Sequence, residues 1–252
     1  MTAVVALGRR ALSVQFRRAQ LLMPTFVLPL VLLAVISSGT GAATDLPGFP
    51  DVDSHLSFVV PGTIIQGALL AGLTSGTQLA GDIESGFFDR LLAAPVARSS
   101  LVLGRLLGTV GLGLIQTVFF LVVAFAFGAR YPGGAVGVLA TLVLAPLTAA
   151  GLGGIACAIA LRTGSLSLLQ SIFPLVFVLL FAAPAFFPRE LLTPTLHDIA
   201  VLNPLTYVVE AVRGLLLDHP GHAWQGFLAA VAMAVATLAL AVFALAERLR
   251  RT

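Results

Sequence analysis

Residues 81–105 read GDIESGFFDRLLAAPVARSSLVLGR, and the reading of this stretch decides the fold. Three acids, Asp82, Glu84 and Asp89, share it with three arginines, Arg90, Arg98 and Arg105. The residues between them are apolar at helical spacing, and long hydrophobic runs stand directly before and after. A short charged segment between two oily spans belongs where lipid gives way to water, within reach of a soluble partner.

The rest of the chain agrees. Of 252 residues, 58% are hydrophobic and 10% charged, whereas soluble domains carry about 25% charge. So little charge cannot cover a water-exposed surface, which makes this an integral membrane protein. All 14 basic residues are arginine, and the net charge is +3. In a membrane protein such basicity suits an anionic leaflet. No basic patch is interleaved with aromatics as a nucleic-acid surface requires, so no nucleic-acid partner is expected. The lone cysteine, Cys157, lies in an apolar run and reads as a small buried hydrophobe.

Working outward toward the N-terminus, residues 58–80 form a predicted span. Gln66, Thr74 and Gln78 share one stripe of it, beside a small-residue stripe of Gly67, Ala71 and Ser75. Such stripes face other helices, although the polar one also suits a substrate route. Before it come an acidic loop with Asp45, Asp51 and Asp53, and a first span over 21–40. Pro24 and Pro29 there should bend the helix or leave carbonyls for neighbours to satisfy. Residues 2–20 read as an amphipathic helix, with Val4, Leu7, Ala11 and Val14 opposite Arg9, Arg10, Ser13 and Arg17; Arg18 follows. That pattern suits a helix lying on the membrane surface, and it is expected to stay in the mature chain.

Toward the C-terminus, spans are predicted at 106–127, 135–161, 168–187 and 226–246. Gly104 and Gly108 open the first of these, and Ala150, Gly154 and Ala158 mark a tight contact in the second. Residues 188–225 are too polar for a straight span yet carry apolar patches. The expected fold class is therefore all-α, with six transmembrane helices and an N-terminal interfacial helix. Eleven arginines fall on one side of that arrangement; Arg130, Arg189 and Arg213 fall on the other. This bias predicts that both termini are cytoplasmic.

Within residues 81–94, Asp82 as a helix cap would put Glu84 in the first turn. Ile83, Phe87, Phe88, Leu91 and Leu92 would make an apolar arc, and Pro95 would stop the helix. Glu84 falls inside that arc, where a carboxylate needs a partner. The expectation is an arginine from Arg9, Arg10, Arg17 or Arg18, or from another subunit; the alternative is a capping carboxylate with no partner. Phe87 and Phe88 either pack on the chain's own spans or anchor it in another protein.

No phosphate loop is present, and without lysine none could be. His55, His197, His219 and His222 are scattered over predicted external segments, and no cluster has metal-ligand spacing. No convergent catalytic set or buried acid in a span suggests an enzyme or an ion-coupled pump. The chain is expected to be no enzyme and to bind no cofactor or metal.

Residues 81–105 also carry a family pattern. Glu84, Gly86, Leu91–Leu92, Pro95 and Gly104–Arg105 resemble the cytoplasmic loop of type-2 ABC exporter permeases. A second block follows between the fifth and sixth spans: Asn203, Pro204, Leu205, Thr206 and Tyr207, then Glu210 and Arg213. The run from Asp82 to Leu92 is most similar to the anthracycline (daunorubicin) type of antibiotic-resistance permease.

The resemblance implies a permease in the inner (plasma) membrane that pairs with a second copy of itself and with two copies of a separate ATP-binding subunit. ATP and Mg would be held in that partner. It implies that Asp82, Glu84, Gly86, Phe87, Phe88, Arg90, Leu91, Leu92 and Pro95 form the coupling element, and that residues 188–225 form short external or re-entrant helices. Pro204 and Tyr207 are then either a helix starter and an interfacial anchor or parts of an external gate, with Asn203, Glu210 and Arg213. The implied substrate is a hydrophobic or amphiphilic small molecule such as a drug. Rivals are a polysaccharide or lipid-linked substrate, and a six-span carrier acting alone.

Overall fold

The computed structural model describes residues 3–17, 19–39, 52, 54–93 and 96–251, and among these every regular element is helical. Arg18, the acids of the first loop and Pro95 lie outside the described residues. The long helices are α1 (Ala3–Arg17), α2 (Ala19–Gly39), α3 (His55–Glu84), α5 (Ser99–Ala126), α6 (Gly134–Thr163) and α10 (Ala223–Arg251). Shorter ones are α4 (Phe87–Leu92), α7 (Leu166–Phe181), α8 (Pro194–Leu202) and α9 (Pro204–Leu216).

Five helices, α2, α3, α5, α6 and α10, are long and apolar enough to cross a membrane, or up to six spans if bent α8–α9 is counted as one. This is a multi-span membrane protein. In the stretch of the predicted fifth span, 168–187, helix α7 ends at Phe181. Its 16 residues reach about 24 Å, short of the ~30 Å hydrocarbon layer. Pro184 disfavours helical backbone at the residue before it, so the chain turns through Ala182–Ala185 instead.

Helix α3 is the axis of the bundle. Phe58, Ile64, Leu70 and Ser75 are all buried, and α2, α5, α6, α7 and α9 pack around it. Small residues set these contacts. A Cβ on Gly72 would stand 2.8 Å from the Gly153 nitrogen of α6, and one on Gly154 of α6 would stand 2.5 Å from Thr237 Oγ1 of α10. Without a hydrophobic drive between helices in lipid, such close backbone approach supplies the packing energy.

The lone cysteine is buried on α6, with its sulfur 3.6 Å from Ser75 Oγ of α3. The exposed surfaces of the helices are apolar: Val31 and Val35 on α2, Leu175 and Val178 on α7, and Val235 and Phe243 on α10 are exposed.

Pro29 does what an in-span proline should. Its missing N–H frees the Thr25 carbonyl, four residues back. Gln116 Nε2 of α5 donates to that oxygen at 3.1 Å.

Helix α1 turns its expected apolar arc inward: Ala11 is buried and Val4, Leu7 and Val14 are half-buried, while Arg9, Ser13 and Arg17 are exposed. Gly8, Ala11 and Gln15 are buried, while Val5 and Phe16 are exposed. The cause lies in α5: a Cβ on Gly104 would come within 2.5 Å of Leu7 Cβ, and one on Gly108 within 2.8 Å of Ala11 Cβ. The two glycines let α1 lie against α5 almost backbone to backbone.

Candidate functional site

The stretch at 81–94 departs from its expected geometry. Asp82 caps no helix: α3 runs on through Glu84, so both acids sit in its last turn. Acids at a helix C-terminus oppose the macrodipole and require compensation. Asp82 receives it from Arg105, whose Nη2 donates to Asp82 Oδ2. Arg10 Nη1 lies 3.7 Å from the same oxygen. Arg105 was assigned to no span, yet it stands inside α5 and is 93% removed from solvent. An isolated buried guanidinium would be very costly, which is why the carboxylate is there.

Among the described residues Glu84 pairs with none of Arg9, Arg10 or Arg17, and it is not isolated either. Its Oε1 accepts a hydrogen bond from the Leu166 amide at 2.8 Å. Leu166 opens α7, whose N-cap Ser165 accepts from the Leu168 amide. One acid of the pair thus offsets a buried arginine, and the other meets the positive end of a second helix. Nothing in the sequence spacing distinguishes them, because each partner lies on a helix remote in sequence.

Gly86 makes the corner. Its φ of +68° is left-handed, and the Ser85 and Gly86 amides close the turn onto Gly81 and Ile83 carbonyls. Helix α4 then leaves the corner and ends at Leu92, with Ala93 as its cap. Phe88 is buried among α3, α5, α6 and α10 side chains, with the Arg248 guanidinium 5.9 Å from its ring centre. It is part of this chain's core, so it does not project as an anchor. Phe87 is half-buried beneath Arg10, whose guanidinium carbon is 4.0 Å from the ring centre. Leu91 and Leu92 are half-buried against the same core. Glu84, Ser85, Asp89 and Arg90 are exposed, as are Arg9 and Arg17 on α1.

A cleft of about 410 Å³ opens beside this corner, between α1, α2, α3, α5 and α7. Thr74 and Gln78 line it, together with Arg10, Asp82, Arg105 and Gln170. The buried Gln78 Nε2 has no hydrogen-bond partner among the described residues. Gln66 lies about three turns nearer the other end of α3, does not line the cleft, and is buried with both amide atoms unpartnered among the described residues. The expected polar stripe therefore divides into a cleft-lining pair and an enclosed glutamine.

The second block gathers at the opposite end of α3. Asn203 is extended before Pro204, and α8 and α9 meet there at 91°. Its Oδ1 accepts from the Leu205 amide, and its Nδ2 donates to the Leu179 carbonyl of α7 at 2.7 Å. Tyr207 Oη donates to the Val201 carbonyl, bracing the bend. Arg189 approaches Glu210 at 3.7 Å and lies 5.9 Å from the Tyr207 ring centre. Arg213 Nη2 donates at 2.8 Å to both the Pro184 and Ala185 carbonyls, Nε donates to the Phe58 carbonyl, and the guanidinium carbon lies 3.9 Å from the Phe58 ring centre. One arginine ties α9 to the turn after α7 and to the start of α3.

Comparison with known proteins accords with this architecture. The family described as ABC-2 type transporter matches residues 2–217. The ycf38 protein of Porphyra purpurea, whose name describes a transport permease, is 31% identical over 83% of this chain and 72% of its own. Its namesake in Pyropia yezoensis is 31% identical over 84% of this chain and 73% of its own. The daunorubicin resistance ABC transporter permease protein DrrB1 of Streptomyces coeruleorubidus is 26% identical over 82% of this chain and 70% of its own. The chain belongs to the ABC-2 type transporter family and is a membrane permease subunit, with no catalysis of its own.

Proposed function

We propose that this permease exports a hydrophobic or amphiphilic molecule, working as a pair of copies with two copies of a separate ATP-binding subunit. The observation that carries the reading is the α3–α4 corner. The most buried helix of the bundle ends there in a glycine turn, and the next short helix presents Asp89 and Arg90 outward. A force applied to α4 has a direct path into α3, because Phe88 and Asp82 are fixed to α10 and α5.

On this reading Asp82, Glu84, Gly86, Phe87, Phe88, Leu91, Leu92 and Pro95 form and position the coupling corner, and Arg90 meets the ATPase. Arg9, Arg10, Arg17 and Arg18 hold α1 at the lipid surface. Asn203, Pro204, Tyr207, Glu210 and Arg213 close the external end, while Thr74 and Gln78 line the guest's path with Gln66 beyond them. ATP and Mg bind in the partner, and both termini face the cytoplasm of a plasma-membrane protein. A ligand drives such a cycle only through its different affinity for two conformations, so the corner must contact the ATPase differently in each.

The name of the Streptomyces relative favours a drug as guest. The test is co-purification with an ATPase that has a phosphate-loop lysine, followed by efflux measurement. Substitution of that lysine should abolish efflux, whereas ATP-independent efflux by this chain alone would point to a lone carrier.

A further inference from the structure

The cleft at the α3–α4 corner carries a charge preference. Among the described residues three ionisable side chains line it: Arg10, Asp82 and Arg105. Two guanidiniums against one carboxylate leave one net positive charge. Asp82 is engaged on both sides, closely by Arg105 and more loosely by Arg10. Arg10 is therefore the group with donors to offer: it reaches Asp82 at 3.7 Å, rests on the Phe87 ring, and keeps 36% of its side chain exposed. Glu84 does not line the cleft, and its carboxylate is held by the Leu166 amide.

The other polar groups are uncharged. Gln78 is buried in the wall, and its Nε2 is a donor with no partner among the described residues. Gln170 and Thr77 share the lining, while Leu70, Leu73 and Phe173 supply apolar wall. The cleft thus offers N–H donors and positive charge beside an oily surface, with no free carboxylate.

We infer that this cleft takes the head of an amphiphile that is anionic and accepts hydrogen bonds, a phosphate-like group above all, with Arg10 and Gln78 as its donors, and that it disfavours cationic amphiphiles. The inference rests on the exporter reading for its biological sense, but the binding itself requires only the permease. A cation would meet two guanidiniums and no available acid, and it would leave the Gln78 donor unmet.

The experiment uses the full chain in phosphatidylcholine nanodiscs and three probes with the same tail: dodecyl phosphate, dodecyl maltoside and dodecyltrimethylammonium. Binding is corrected for partition into empty nanodiscs. Dodecyl phosphate should bind at least tenfold more tightly than dodecyltrimethylammonium. Arg10→Glu, which makes the net charge of the lining −1, should abolish or reverse that order, and Gln78→Leu should weaken phosphate and maltoside binding several-fold. Arg10→Gln is the milder control and should reduce the preference with the melting temperature unchanged.

Equal or tighter binding of the cation overturns the inference, as does a preference that survives both Arg10 variants in folded protein. Adding phosphatidylglycerol to the bilayer separates two sources of the same chemistry. Displacement of dodecyl phosphate supports the site with the leaflet's own lipid as occupant, and retention supports it with an exported guest. Absence of the charge order in the wild-type protein alongside intact ATP-driven efflux would sink this inference alone. An intact charge order with no efflux of any amphiphile would sink the exporter reading alone.

Discussion

The Glu84 carboxylate accepts a hydrogen bond from the Leu166 amide across 2.8 Å, joining the last turn of α3 to the first turn of α7. The two residues are 82 positions apart, and their contact makes the α3–α4 corner continuous with the most loosely packed helix around α3. Of the 16 residues of α7, only Leu169 and Leu180 are buried.

Removal of that contact should free the α7 N-terminus. Glu84→Ala is expected to speed hydrogen exchange several-fold in a peptide covering residues 165–169, with the α3 core unchanged. Efflux should fall in parallel. Glu84→Gln keeps an acceptor oxygen and should retain more protection than Ala. Unchanged exchange in Glu84→Ala would show that the contact does not hold α7.

The Arg105–Asp82 pair is set up to punish single substitutions. Arg105→Met leaves a carboxylate without its principal partner in a mostly buried position, at a cost of about 3–5 kcal/mol. Arg105→Met combined with Asp82→Leu removes both charges and should regain most of the loss. Thermal unfolding of the single and double variants in nanodiscs measures the difference. Additive losses would mean that the two residues are not coupled.

Close packing of α1 on α5 depends on two hydrogen atoms, those at the Gly104 and Gly108 α-carbons that a side chain would replace. Gly104→Val is expected to force α1 away, since even a Cβ there meets Leu7 Cβ at 2.5 Å. Overpacking of this kind costs about 1–3 kcal/mol. Gly111, where a Cβ meets only Leu12 methyl carbons at 3.3 Å and beyond, should accept Ala with little change. Limited proteolysis within residues 3–17 reports the release of α1.

Arg213 closes the other end of α3. Arg213→Met strips donors from the Pro184, Ala185 and Phe58 carbonyls, and charged hydrogen bonds of this type contribute about 1.5–3 kcal/mol each. Arg213→Lys keeps the charge but cannot reproduce the planar fork, so its stability should lie between wild type and Met. Melting temperature ranks the three. Identical values for Lys and Arg would show that charge alone matters.

The membrane class and the run of long helices could be read from composition and periodicity, because an apolar span announces itself by length. Pro29 could be read one step further, as a residue that leaves a carbonyl to a neighbour. That the neighbour is Gln116 could not, since spacing along one helix says nothing about which face of another meets it. The break after α3 was misplaced for a related reason. Asp82 and Glu84 look like helix-starting acids, and only the contacts with Arg105 and Leu166 explain how they tolerate a C-terminal turn. That a charged corner lies between two long helices was legible. Its wiring was not, because both partners arrive from remote helices.

The bond between Gln116 and the Thr25 carbonyl acts as a keyway between two helices. Few side chains of α2 are buried, so apolar contact alone would let it slide or rotate against α5 at small cost. Of the two prolines inside that helix, Pro29 leaves the Thr25 carbonyl open, and Gln116 satisfies it in the register observed. A displacement of one turn would present the same amide to an oxygen already bonded within its own helix. The backbone hydrogen missing at Pro29 thus helps to fix where α2 sits against α5, in a bilayer that offers no water as an alternative partner.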